Sequence, residues 1–118
     1  MAFRASHRYA RVSARKVRPL ANLVRGTFAD EALAVLRYQP QRGARMLEKV
    51  IKSALGNVQD PDQNEGRPVK PEHLVLVEAR VDNGPMFKRI RPRARGMAFM
   101  IRKRFSHIHV ALEDVSEL

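Results

Sequence analysis

From Gln41 to about Gln59 the apolar residues Ala44, Leu47, Ile51, Ala54, Leu55 and Val58 recur on one stripe three or four positions apart, which predicts an amphipathic helix. Arg42, Arg45, Lys49 and Lys52 fall off that stripe, and a solvated face accounts for most of them. A shorter helix is predicted after Ser13, an N-cap residue type, because Val17, Leu20, Ala21 and Val24 keep helical spacing before Gly26 closes it. Pro19 stands inside that helix, where it removes the backbone hydrogen bond to Arg15 and is expected to kink the first turns. A further helix is predicted from about Asp30 to Tyr38, with Asp30 and Glu31 near the positive end of its dipole and Pro40 as its stop.

Elsewhere the period shortens to two. Phe3 to Val12 alternates loosely and reads as an extended strand, and Leu74 to Val77 begins another that continues through Glu78, Ala79, Arg80 and Val81. In the last strand, around His107 to Glu113, Ile108, Val110 and Leu112 fall on one side. Asp60 to Pro71 is rich in Pro, Gly, Asp and Asn and reads as a loop. The sum is an α+β fold of three helices packed on a small antiparallel three-stranded sheet. Without repeat, low-complexity tract or linker, residues 1–118 read as a single domain.

How residues 82–106 join the last two strands decides the shape. Asn83-Gly84 has the composition of a tight hairpin turn. The preferred reading places the reversal at Pro92-Arg93-Ala94-Arg95-Gly96, with Gly84-Pro85 a bulge or bend in one arm. The result is a long protruding β-hairpin at about 84–106, whose arms of about ten residues reach roughly 30 Å. Two strands alone are marginal in water, so such a ribbon needs a surface around it.

Charge names the kind of surface. The chain has 23 Lys and Arg against 12 Asp and Glu, a net charge of +11, which points to a polyanion. Residues 1–25 carry seven cations and residues 86–109 eight, with no acid in either segment. The second run is interleaved with Phe87, Ile90, Met97, Phe99, Met100, Ile101 and Phe105, so it suits RNA, where cations meet phosphates and apolar groups fill gaps or stack on bases. The acids gather at Asp60, Asp62 and Glu65 and at Glu113, Asp114 and Glu117, stretches expected to face solvent away from the polyanion. No run approaches the roughly 18 apolar residues of a membrane span, no signal-peptide block opens the chain, and the absence of cysteine fits a reducing compartment. A soluble, cytoplasmic protein with no membrane partner is the expectation.

The candidate RNA-binding residues are Arg8, Arg11, Arg15, Lys16, Arg18 and Arg25 in the first segment, and Lys88, Arg89, Arg91, Arg93, Arg95, Arg102, Lys103, Arg104 and His107 in the second. Arg15 and Lys16 oppose the dipole at the start of their helix, a mismatch that points to phosphate contact aided by the helix N-terminus. A calcium loop at Asp60 to Gly66 is disfavoured, because its glycine falls one place late and Pro71 stands where the bidentate Glu belongs. His107 and His109 share a strand face but lack a third ligand, so no metal and no cofactor is expected. No catalytic constellation can be argued from spacing, and a non-catalytic scaffold is expected. A DNA-binding architectural protein with a basic ribbon is the rival, and a small nuclease ranks third.

These residues resemble the universal ribosomal protein family twenty-two of the large subunit, in its bacterial form. The resemblance rests on Ser13-Ala14-Arg15-Lys16 leading to Leu23-Val24-Arg25-Gly26, on Glu31-Ala32-Leu33, and above all on Lys88-Arg89-Ile90-Arg91-Pro92-Arg93-Ala94-Arg95-Gly96 with Lys103-Arg104 and Ser106-His107-Ile108. It implies a monomer within the bacterial ribosome that binds large-subunit ribosomal RNA of the 23S type at several domains, contacts neighbouring large-subunit proteins and aids early assembly. It also implies that the hairpin lines the polypeptide exit tunnel beside the nascent polypeptide, with Arg91, Pro92, Arg93, Ala94, Arg95, Gly96 and Met97 at its tip. Met97 stands where the family commonly has a basic residue, Pro19 interrupts a helix that usually lacks it, and Phe99 and Met100 make the returning arm more apolar.

Overall fold

Three antiparallel strands make one sheet in the order β1-β3-β2, with β1 at Ala2–Ala10, β2 at Leu74–Pro92 and β3 at Ala98–Asp114. This computed structural model describes residues 2–60, 71–92 and 94–115. Helices α1 (Ala14–Val24), α2 (Ala29–Arg37) and α3 (Arg42–Gln59) lie between β1 and β2 in the chain. The α+β architecture and all three helices match the apolar periodicity, with boundaries shifted by a residue or two.

The central strand organises the core. Ile108, Val110 and Leu112 of β3 are buried and pair across to Val81, Ala79 and Leu76 of β2, while Phe3 of β1 covers Leu112. Onto this face pack Val17, Leu20, Ala21 and Val24 of α1 and Ala44, Leu47, Val50, Ile51, Ala54 and Val58 of α3. Alternation in the strands and the 3.6-residue repeat in the helices bring the two sets together.

Three local expectations change. Ser13 occupies the N-cap with extended backbone, yet its side chain makes no capping bond. Pro19 lies within α1, which continues through it as one element; Pro19 and Arg15 are both exposed, so the carbonyl that loses its partner is on the solvent side. Asp114 corrects the reading of the C-terminal acids as solvent-facing: it is 9% exposed and opposite Leu74, because it continues the inward parity of Val110 and Leu112. The loop expected beyond Asp60, with Asp62 and Glu65, where a calcium site is disfavoured, lies outside the described residues, as do Arg93 and Glu117.

Beyond the core, β2 and β3 stay paired for seven more rungs, from Met86 opposite Arg104 to Pro92 opposite Ala98. Asn83-Gly84 is therefore not the turn. One extra β2 residue is accommodated between Asn83 and Met86, where a Cβ on Gly84 would meet the Phe105 carbonyl oxygen at 3.0 Å. The reversal falls after Pro92, with Arg95 (φ 63°) and Gly96 (φ 68°) in the left-handed region. The body and hairpin together measure 64 × 28 × 17 Å, with a radius of gyration of 17.5 Å against about 13.5 Å for a compact chain of this length. Among the described residues no helix is long and apolar enough to cross a membrane.

Candidate nucleic-acid interface

The hairpin leaves the body at a cation-lined groove. Pairing between β1 and β3 ends at Ala10 and Ser106, so the outer edge of β3 is free from Phe105 towards the tip. The chain instead turns, with the Val12 N–H donating to the Ala10 carbonyl at 2.8 Å, and enters α1 beside that free edge. Between them lies a groove of about 990 Å³. One wall holds Arg11, Val12, Ser13, Arg15 and Lys16; the other holds Phe87, Arg89, Arg102, Lys103, Arg104 and Phe105, and Arg42 joins from the start of α3.

Eight of those twelve residues are cationic and none is acidic. Helices α1 and α3 begin side by side because Gly43 permits close approach: a Cβ there would lie 2.9 Å from Val17 Cγ2. Neither helix has an acid in its first turn or a side-chain N-cap bond. Two uncompensated positive helix ends therefore add to the side-chain charges. Phe87 and Phe105 pack edge to face at 5.3 Å in the wall, and the Arg89 guanidinium stands 5.4 Å from the Phe87 ring centre.

From the groove outward, register assigns each hairpin side chain to a face. Met86, Lys88, Ile90 and Pro92 share one face with Arg104, Arg102, Met100 and Ala98. The opposite face holds Phe87, Arg89 and Arg91 with Lys103, Ile101 and Phe99. The first face is charged near the root and neutral over its last rungs at Ile90, Pro92, Ala98 and Met100. The second carries cations almost to the end.

The candidate residues divide by position. Arg11, Arg15, Lys16, Arg89, Arg102, Lys103 and Arg104 all line the groove, Arg89 and Lys103 from one face of the ribbon and Arg102 and Arg104 from the other along its free edge, whereas Lys88, Arg91 and Arg95 are exposed along the hairpin and at its turn. Arg91 and Pro92 are paired residues at the end of the ladder, and Ala94, Arg95 and Gly96 make the turn after it, with Arg95 and Gly96 in the left-handed region. Arg8 is exposed on β1. Arg18 Nε donates to the Val81 carbonyl at 3.1 Å and Arg25 donates to the Ala79 carbonyl, so both bind the free edge of β2. The Gly26 N–H donates to Leu76, whose own N–H donates to Thr27, completing that cover. His107 accepts the Tyr9 N–H on Nδ1 at 3.0 Å and packs edge-on against the Tyr9 ring. Arg42 was assigned to a solvated face by its helical position alone; its place at an acid-free helix start, next to Gly43, is the signal that marks it.

The outer face of the sheet has a different character. Arg4, Glu78, Arg80 and Asp82 form a chain of alternating charge, with Arg4 to Glu78 at 2.6 Å, Arg80 to Glu78 at 3.6 Å and Arg80 to Asp82 at 3.2 Å, and His109 Nε2 lies 3.4 Å from Asp82. Ser6 Oγ lies 2.9 Å from His109 Nδ1, so Ser6, His109 and Asp82 stand in sequence across the strands. None of the three lines the groove. Among the described residues no three of His, Cys, Asp and Glu gather as a metal-ligand set.

Comparison with known proteins gives a consistent result. Residues 5–113 match the family described as ribosomal protein L22p/L17e. Large ribosomal subunit protein uL22 of Rhodopirellula baltica is 68% identical over 116 residues, 98% of each chain. The protein of the same name from Caldicellulosiruptor saccharolyticus is 46% identical over 93% of this chain and 86% of its own. That from a Thermotoga species is 45% identical over 97% of this chain and 69% of its own.

Proposed function

The chain belongs to the ribosomal protein L22p/L17e family, in its bacterial type, and from that premise we propose that it is a non-catalytic structural constituent of the large ribosomal subunit. Its body docks on large-subunit ribosomal RNA while the hairpin threads between RNA segments. One observation carries the reading: an acid-free path of cations runs from the root groove along the hairpin. Cations on that path neutralise phosphates and release counterions, so binding to free RNA falls steeply with salt.

The hairpin's two faces divide the partners. Arg89 and Arg91 suit RNA, whereas the neutral strip of Ile90, Pro92, Ala98 and Met100 suits polypeptide, either a neighbouring ribosomal protein or the nascent chain in the exit tunnel. The setting is the bacterial cytoplasmic ribosome, and early subunit assembly follows from binding several RNA domains at once.

Photo-crosslinking in cells tests both levels. The protein is expected to co-sediment with large subunits, to crosslink to ribosomal RNA from position 91, and to crosslink to polypeptide from position 90 or 100. Sedimentation with nucleoid DNA instead would favour an architectural DNA-binding protein. Equal RNA yields from positions 90 and 91 would remove the division of faces.

A further inference from the structure

Resting on the RNA-binding reading above, we propose that the root groove is a clamp for the RNA sugar–phosphate backbone, with Arg42 as one of its binding residues, and that this clamp rather than the hairpin tip sets affinity. The groove brings cations from three segments far apart in sequence around one concavity of about 990 Å³. Cations line both walls, and low-dielectric walls focus their field on an anion between them. Farther out, Lys88 and Arg91 lie on opposite faces of the hairpin.

The groove's charge is uncompensated. Among the described residues none of its eight cations has a carboxylate partner, whereas Arg4, Arg45 and Arg80 elsewhere each do. The arrangement is therefore repulsive until an anion enters. The adjoining starts of α1 and α3 add peptide dipoles of the same sign, and the close approach at Gly43 holds them together. In the same wall Phe87 is 47% exposed and Phe105 is half-buried, giving an apolar aromatic surface beside the phosphate path. That surface suits a ribose or an unstacked base.

The test is the salt dependence of binding of the full chain to a large-subunit ribosomal RNA fragment, with three double variants of equal charge change. Arg15→Gln with Arg42→Gln alters the groove, Lys49→Gln with Lys52→Gln alters the exposed side of α3, and Arg91→Gln with Arg95→Gln alters the outer hairpin. All six residues are exposed, so each variant is expected to melt as a folded protein. Each lost phosphate contact lowers the slope of log K against log salt by about 0.7 to 0.9. The groove pair is expected to lower it by about 1.4 to 1.8 and to weaken binding tenfold or more; the α3 pair should leave it unchanged, and the hairpin pair should lose less than the groove pair. A groove pair that keeps the wild-type slope, or a hairpin pair that loses more, overturns the clamp. Wild-type protein binding duplex DNA of equal length as tightly as RNA would defeat the ribosomal reading instead; a slope deficit of the groove pair would still support the clamp there.

Discussion

Gly43 and Gly56 lie on the same helix, and replacing each with Ala should move stability in opposite directions. Both substitutions gain about 1 kcal/mol of helix propensity. At Gly56 nothing lies within 4 Å of the added Cβ, so that gain is kept. At Gly43 the Cβ would be 2.9 Å from Val17 Cγ2, 3.6 Å from Leu20 Cδ1 and 3.7 Å from Val17 Cβ. Val17 is 0% exposed and β-branched, so it has no second rotamer into which to retreat; α1 and α3 must part instead. Overpacking of this kind costs about 1 to 3 kcal/mol, which leaves Gly43→Ala destabilised by up to about 2 kcal/mol after the propensity gain. For a chain of this size 1 kcal/mol moves the melting temperature by on the order of 4 °C. Circular-dichroism melts in one buffer should show Gly56→Ala above wild type and Gly43→Ala below it. Equal rises in both would show that α1 and α3 are not in contact at Gly43, and the paired helix starts in the groove would go with that contact.

Three further outcomes follow from other sites. Gly84→Ala places a Cβ 3.0 Å from the Phe105 carbonyl oxygen, 3.1 Å from its carbon and 3.3 Å from His107 Nε2, so it should cost about 1 to 3 kcal/mol in urea unfolding; no change in midpoint would mean the bulge is loose. Arg25→Ala removes a charged donor from the Ala79 carbonyl and should lower stability by about 1 kcal/mol while weakening RNA binding less than Arg15→Ala, as measured by melts and titrations on the same samples. Ser106 is fully buried and its hydroxyl has no hydrogen-bond partner among the described residues, so Ser106→Ala should raise the melting midpoint by about 1 kcal/mol equivalent; a fall would reveal a partner for that hydroxyl.

Sequence pattern carried the elements here because each depends on neighbours in the chain. Ala44, Leu47 and Ile51 announce α3 by spacing alone, and the contrast between Asn83-Gly84 and Pro92 to Gly96 locates the reversal because only the latter leaves both arms long enough to pair. Asp114 was legible too, since continuing the parity of Val110 and Leu112 turns it inward; its acidic neighbours masked that signal. The groove was not legible. It joins residues 11–16, residue 42 and residues 87–105, and their convergence depends on where β1 stops and on the glycine between α1 and α3. For the same reason the edge-binding roles of Arg18 and Arg25 were hidden among other basic residues, because a carbonyl 54 or 63 positions away leaves no local trace.

The position of the groove matters as much as its charge. Beyond the bulge the hairpin continues for seven rungs, or about 23 Å at 3.3 Å per residue. Its side chains there are mostly exposed, and six of the twelve exposed large apolar residues among those described lie between Met86 and Met100. An arm of that length turns a 10° error at its root into a displacement of about 4 Å at its end, more than a hydrogen bond tolerates. Contacts at the tip can therefore form only once the arm already points the right way. Contacts at the root act where β3 loses β1 as a neighbour and where Gly84 lets the two arms close against each other. A backbone phosphate held between Arg15, Arg42 and Lys103 would tie both helix starts to the base of the ribbon, so RNA binding there would also set the hairpin's direction.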